Sequence, residues 1–284
     1  ARYPDPAYTA LREAVAAFHA VDVDRVVLAG SASEFIARFT AWVAREGGQR
    51  VWLPAMAYGD YAHAARAWGL HRVPDAAQAD LAWLCEPSSP LGEPEPFAQG
   101  VAAKCARVVL DLAYEPLRLS GRCTLGPEAR DAVWQLWSPN KALGLTGVRG
   151  AYAIAPAPAV ADARALDGLA PSWVLGAHGV AMLTAWVSPD AQAWLAHSRL
   201  QLSDWRVSLR ERLADCGWLG LPSDANYFCA APPRPLDAAA LRAVGIKLRD
   251  TTSMGLPGHW RLGVLPPAAQ DALHAALRQQ EVAA

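Results

Sequence analysis

Residues 138–150 read Ser138-Pro139-Asn140-Lys141-Ala142-Leu143-Gly144-Leu145-Thr146-Gly147-Val148-Arg149-Gly150. The segment lies between two apolar, strand-like runs, Ala132-Val133-Trp134-Gln135-Leu136-Trp137 and Ala151-Tyr152-Ala153-Ile154-Ala155. A serine stands three residues before Lys141 and an arginine eight after it, with Gly144, Gly147 and Gly150 spaced through the segment. The flanking runs predict that Lys141 lies at a strand end. Ser138 then offers a hydroxyl and Arg149 a planar guanidinium fork, an anion site beside the lysine amine. A lone lysine in a glycine-rich loop is ordinarily a solvated surface residue. Here the S-x-x-K-x-x-G-L-x-G-x-R spacing sets it apart.

Upstream of this segment, short apolar runs recur at 25–29, 50–53, 71–73, 80–85 and 107–111, several of them separated by helix-like stretches such as 58–68 and 95–104. Strands alternating with helices build βαβ units, so the fold class is α/β, with a mainly parallel sheet flanked by helices. A helical pattern at 7–19 (Leu11, Val15, Phe18) precedes the first run. Past residue 175 the character changes to long helical patterns at 176–187 and 190–216 and a strand at 226–229. A helix at 236–243, strands at 245–249 and 259–264 and a closing helix at 266–278 complete the chain. The expected division is an N-terminal helix segment over 1–20, a large domain over 21–175, and interdomain helices with a smaller α+β C-terminal domain over 176–284.

Composition excludes several function classes. The 284 residues are 53% hydrophobic and 19% charged, an ordered globular composition with ample core. Twenty-six basic against 27 acidic residues give a net charge of −1, with no long basic run, which argues against a nucleic-acid partner. The five cysteines are dispersed and never arranged as CxxC, which disfavours both a disulfide framework and a metal site and fits a reducing cytosol. No apolar run reaches the roughly 18 residues needed to span a membrane. The opening Ala1-Arg2-Tyr3-Pro4-Asp5-Pro6 lacks the apolar core of a signal peptide. A soluble, cytoplasmic chain is expected.

Four other places carry candidate chemistry. Gly30-Ser31-Ala32-Ser33-Glu34 sits between a strand and a helix, where backbone N–H groups can cradle an anion. Ser31 or Ser33 serves equally well as a plain N-cap. Asp111 ends the run Arg107-Val108-Val109-Leu110-Asp111 and points into the crevice at the strand's C-terminal end; a turn aspartate is the plainer alternative. Tyr58 follows a strand and can stack on a planar ligand or pack as a core tyrosine. Arg261, on a candidate strand of the small domain, is a natural clamp for a carboxylate, with Arg249 a second cation nearby for a phosphate or carboxylate.

A lysine beside a phosphate site suggests a Schiff base to pyridoxal phosphate. The 138–150 segment closely resembles the lysine motif of the class I/II aminotransferases. Asp111-Leu112-Ala113-Tyr114 is similar to that family's D-x-A-Y, and Pro222-Ser223-Asp224-Ala225-Asn226-Tyr227-Phe228 to its P-S-x-x-N-F. Together the segments resemble the histidinol-phosphate aminotransferase and threonine-phosphate decarboxylase branch of fold-type I pyridoxal enzymes, over most of the chain. The resemblance implies an aspartate-aminotransferase-like fold and pyridoxal 5'-phosphate as cofactor. It implies a covalent link at Lys141, Asp111 on the ring nitrogen, Tyr114 on the phenolic oxygen and Tyr58 on the ring face. The phosphate would be held by Ser31, Ala32, Ser138, Arg149 and the partner subunit's copy of Tyr3, the tyrosine of Arg2-Tyr3-Pro4-Asp5. A homodimer with shared sites follows, the 1–20 segment making the dimer contact.

Three departures bear on these expectations. Glu86-Pro87-Ser88-Ser89-Pro90-Leu91-Gly92 replaces the family's N-P-N-N-P-T-G, so Ser89 stands where an asparagine usually reaches the phenolic oxygen. Asn140 replaces a usually smaller residue before the lysine. The sequence opens almost at the Arg-Tyr-Pro-Asp stretch, so an expectation is that the arm which in the family helps cover the substrate is not part of it. The expected activity is transamination of an amino acid or amino-alcohol phosphate. A lyase that decarboxylates an O-phospho-amino acid is the alternative, and a pyridoxal-binding protein with little catalysis the second.

Overall fold

The computed structural model describes residues 3–282, so Arg2 of the Arg-Tyr-Pro-Asp stretch lies outside the described residues. Helix α1 (Thr9–His19) buries Leu11 and Val15 and leads to β1 (Val26–Ala29), α2 (Ala32–Arg45), β2 (Arg50–Trp52) and α3 (Gly59–Ala67). Next come β3 (His71–Arg72), β4 (Leu81–Cys85), α4 (Ala98–Lys104), β5 (Val108–Asp111), α5 (Pro127–Asp131), β6 (Trp134–Trp137) and β7 (Ala151–Ile154). Helices α6 (Val160–Asp167), α7 (Ala177–Trp186) and the long α8 (Pro189–Asp215) carry the chain to β8 (Leu219–Gly220) and β9 (Tyr227–Ala231). Helix α9 (Ala238–Ala243), β10 (Arg249–Asp250), β11 (Trp260–Gly263) and α10 (Pro267–Val282) close it.

Strands β1 to β7 form one sheet in the order β1-β7-β6-β5-β4-β2-β3, and β8 to β11 a second in the order β10-β11-β9-β8. Both faces of the first sheet are covered over β1, β4, β5 and β7, whose residues are buried throughout, so these strands read as near-continuous apolar runs rather than alternating ones. Val27 and Ala29 point into a core with Phe35, Phe39 and Trp42 of α2, while Val26 and Leu28 point into another with α1, α7 and α8. Ala82, Leu84, Val108 and Leu110 pack with α4 in a third. The second sheet closes a separate core with the C-terminal half of α8, α9 and α10. Among the described residues, no helix is long and apolar enough to cross a membrane.

The α/β class and the smaller C-terminal sheet match expectation, with local corrections. The strand expected at 245–249 shrinks to Arg249–Asp250. Gly245 turns back with φ +81° and Ile246 N–H closes on Leu241 O at 2.9 Å, so Ile246 and Leu248 fill the core of the second sheet without a ladder partner. Helices α5 and α6 and strand β8 were not anticipated. Two-residue β8 and five-residue α5 are too short to show a period.

Candidate active site

Strand β7 runs antiparallel to both of its neighbours, β1 and β6, in a sheet whose other pairings are parallel. Its first residues therefore lie at the edge where β1 and β6 end, with Ala151 opposite Ala29 and Tyr152 opposite Trp137. That reversal brings Arg149, Ser31 and Ser138 to one end of a cavity of about 420 Å³. Ser31 is the N-cap of α2, its Oγ accepting from Glu34 N–H at 3.0 Å. Glu34 Oε2 accepts from Gly30 N–H at 3.1 Å, so the glycine's donor is already taken. The N-cap reading of this turn is what the structure shows, and the first-turn N–H groups of Ala32 and Ser33 are the donors left for an anion.

Lys141 lies in a tight turn: Leu145 N–H reaches Asn140 O at 2.7 Å and Gly144, at φ +68°, donates to Lys141 O at 3.2 Å. A side chain at Gly144 would be strained in that left-handed conformation. Ser138 Oγ donates to Asn140 Oδ1 at 3.0 Å, so the asparagine that departs from the family pattern orients the serine. Gly179 of α7 lets the helix press against Arg149, because a Cβ there would meet Arg149 O at 2.5 Å.

Asp111 ends β5 on the opposite wall, in register with Cys85 at the end of β4. Its carboxylate is buried, Oδ2 accepting from Tyr61 OH at 2.6 Å and Oδ1 from Ala113 N–H at 3.0 Å. Burial pushes its pKa up, and the donors from Tyr61 and Ala113 and the charge of Lys141 work against that. Burial also drives the Cys85 thiol far up, so it stays neutral. Tyr58, at the N-cap of α3, is partly exposed at the cavity wall with its hydroxyl 3.5 Å from Ser33 Oγ. Lys141 Nζ lies 5.1 Å from the Tyr114 ring centroid, and Tyr114 packs edge-on against Tyr227. Burial raises the Tyr114 phenol, with Arg261 opposing.

The second sheet closes the cavity. Arg261 stands over the Tyr227 ring at 5.0 Å and donates to Ser89 Oγ at 3.4 Å. Arg249 is its direct cross-strand partner and lines the same cavity. Like charges placed opposite one another are destabilising unless an anion lies between them. Lys141, Arg149, Arg249 and Arg261 face a single lining carboxylate, Asp111.

Comparison with known proteins fits this geometry. The family described as "Aminotransferase class I and II" matches residues 1–86 and 75–277. The chain belongs to the class I and II aminotransferases. It is 30% identical over 301 residues to histidinol-phosphate aminotransferase 2 of Burkholderia mallei, covering 98% of this chain and 83% of that one. Among solved structures, the histidinol-phosphate aminotransferase of Clostridium acetobutylicum superposes with a TM-score of 0.82 at 15% identity, over 100% of this chain and 91% of that one. The Sinorhizobium meliloti enzyme, solved in complex with pyridoxal-5'-phosphate, gives 0.77 at 22% identity, over 98% and 83%.

This aminotransferase is by family an enzyme dependent on pyridoxal phosphate, and its donor set fits that group. The cofactor needs an amine for its aldehyde, an acidic partner for its ring nitrogen and cationic donors for its phosphate. Lys141, Asp111 and the Ser138–Arg149 end of the cavity offer these. Every residue expected at the site from the chain's own subunit lines this cavity. Tyr3 lies outside it, 79% exposed, with its ring 4.6 Å from that of Trp173. Tyr61 and Cys85 were missed as site residues, as were Thr146 and Met254. Tyr61 carried one signal, its place one helical turn after Tyr58.

Proposed function

We propose that this aminotransferase acts on an amino acid or amino-alcohol phosphate, with Lys141 as its catalytic amine. The excess of cations in one cavity carries this reading: a cofactor phosphate and two anionic substrate groups would balance them. The relatives named for histidinol phosphate support it. When bound, the cofactor supplies an aldehyde to take the amino group and a protonated ring to accept the α-carbon's electrons. Lys141 is the covalent anchor at that aldehyde, and once released it holds and moves the proton at the substrate's α-carbon. Asp111 holds the ring nitrogen protonated, with Tyr58 against the ring and Tyr114 and Ser89 toward its phenolic oxygen. Ser138, Arg149, Ser31 and Ala32 take the phosphate. Arg261 clamps the substrate carboxylate with two parallel donors, and Arg249 takes the remaining anionic group.

The same reading makes residues 21–175 the cofactor-binding unit and 176–284 the interdomain helices and small domain. Tyr3, exposed and outside its own cavity, fits a homodimer in which it serves the partner's phosphate site. A cytoplasmic setting is consistent with the absence of disulfides among the described residues. The decisive experiment compares wild type with Lys141→Ala, loaded with pyridoxal phosphate and given amino-acid phosphates. Turnover should fall by about 10²–10⁴-fold, and the cofactor's absorbance should no longer respond to substrate. Equal turnover in the two proteins sinks the proposal. Carbon dioxide release without pyridoxamine formation replaces it with the lyase reading.

A further inference from the structure

Asp111 receives two donors from its own chain, and one comes from a residue that the family motifs leave without a role. Tyr61 is completely buried on α3, its ring flat on Trp83 at 4.9 Å and 8° and edge-on to Tyr58 at 5.7 Å. A buried phenol needs an acceptor, and this one gives its only proton to Asp111 Oδ2 at 2.6 Å. With Ala113 N–H on Oδ1, each carboxylate oxygen holds one donor. A carboxylate has roughly four acceptor sites, so the plane of the group is set and capacity remains for a ligand.

We propose that Tyr61 is a positioning residue for Asp111, fixing the carboxylate's orientation and holding it in the anionic form that a protonated ring nitrogen requires. Its role rests on the pyridoxal-phosphate reading of the cavity. The titratable groups facing Asp111 are Tyr61 and Asp60 from α3, Tyr58 at its N-cap, Cys85 from β4, Tyr114 just after β5 and Lys141 from the turn after β6. Burial and Asp60 disfavour the anion, while Tyr61, Ala113 N–H and Lys141 favour it. The neutral Cys85 thiol adds no charge. Removing the phenolic proton leaves burial opposed by one backbone donor and one cation.

Tyr61→Phe tests this, since the ring can stay stacked on Trp83 while only the hydroxyl is lost. Pyridoxal phosphate is titrated into the apo-protein at a series of pH values, with tryptophan fluorescence as the readout. Affinity should fall about tenfold to hundredfold, as expected for losing a hydrogen bond to a charged group. The pH midpoint for binding should move up by about one unit. In an Asp111→Asn background the same substitution should cause no further loss. Wild-type affinity and midpoint in Tyr61→Phe overturn the inference alone, as does an equal loss in the Asp111→Asn background. A wild-type protein that binds no pyridoxal phosphate overturns the cavity's reading, and Tyr61's role with it.

Discussion

At the scale of single residues, His19 shows how a hydrogen-bond pattern fixes a protonation state. Trp186 Nε1–H can only donate, and it reaches Tyr152 OH at 2.9 Å; the phenol's proton is then directed at His19 Nε2, also at 2.9 Å. That nitrogen must present a lone pair. Burial, aided by Arg130, lowers the imidazole from 6.5 to about 4. Between those values the unfolded chain binds a proton that the folded chain refuses. Stability is therefore complete above pH 6.5 and declines as the pH falls toward 4, by about 3 kcal/mol at most. Chemical denaturation across pH 4–7 should show this slope in the wild type, and His19→Phe should flatten it. Identical slopes would mean that the ring titrates normally in the fold.

At the scale of elements, the reversed strand β7 and helix α7 together aim Arg149. Gly179→Ala would drive a methyl to 2.5 Å from Arg149 O, so α7 or the 149 turn must move. Overpacking of this kind costs about 1–3 kcal/mol. The larger consequence falls on the anion end of the cavity: cofactor affinity should drop severalfold while the affinity for a substrate carboxylate changes less. Parallel titrations with pyridoxal phosphate and with an amino-acid substrate would separate the two effects. Contacts of this sort mark where the sequence stops being legible. Ser138, Lys141 and Arg149 could be read because the chemistry dictates residue types at short spacing, and the strand runs 81–85 and 108–110 because burial on both faces leaves them apolar. Tyr61 could not, since its partner lies 50 residues away and only the fold joins them. Nor could the end of the Gly30 cradle, where Glu34 was free in the sequence and is committed to Gly30 N–H in the structure.

At the scale of the whole molecule, one buried arginine ties segments of the two sheets together. Arg118 reaches Glu115 at 2.7 Å and Glu86 at 3.0 Å, both attached to the first sheet, and Asp224 at 3.0 Å, just before β9 of the second. Burial opposes its charge, and Glu115, Glu86 and Asp224 outweigh that, so its pKa rises above the ordinary arginine value. The loop that carries Ser89 is caught in the same junction: Tyr227 OH donates to Ser88 O at 2.7 Å and Asp224 N–H to Gly92 O at 2.7 Å. Glu86 is completely buried, its Oε2 has no partner and its Oε1 otherwise accepts only from Thr124, so removing Arg118 would leave a buried carboxylate without a counter-charge. Breaking a buried pair in this way costs about 3–5 kcal/mol. Arg118→Met should therefore lower the unfolding midpoint by roughly 10 °C. Arg118→Lys should recover little, because a single ammonium cannot reproduce a fork spread over three carboxylates. Arg249 and Arg261 ride on the second sheet, whereas Lys141, Asp111 and Arg149 belong to the first. Loosening the junction should thus raise the KM for the amino substrate well before it weakens the cofactor. Arg118→Met that melts with the wild type, or that loses cofactor and substrate affinity in equal measure, would show that the two sheets are aligned by something other than this arginine.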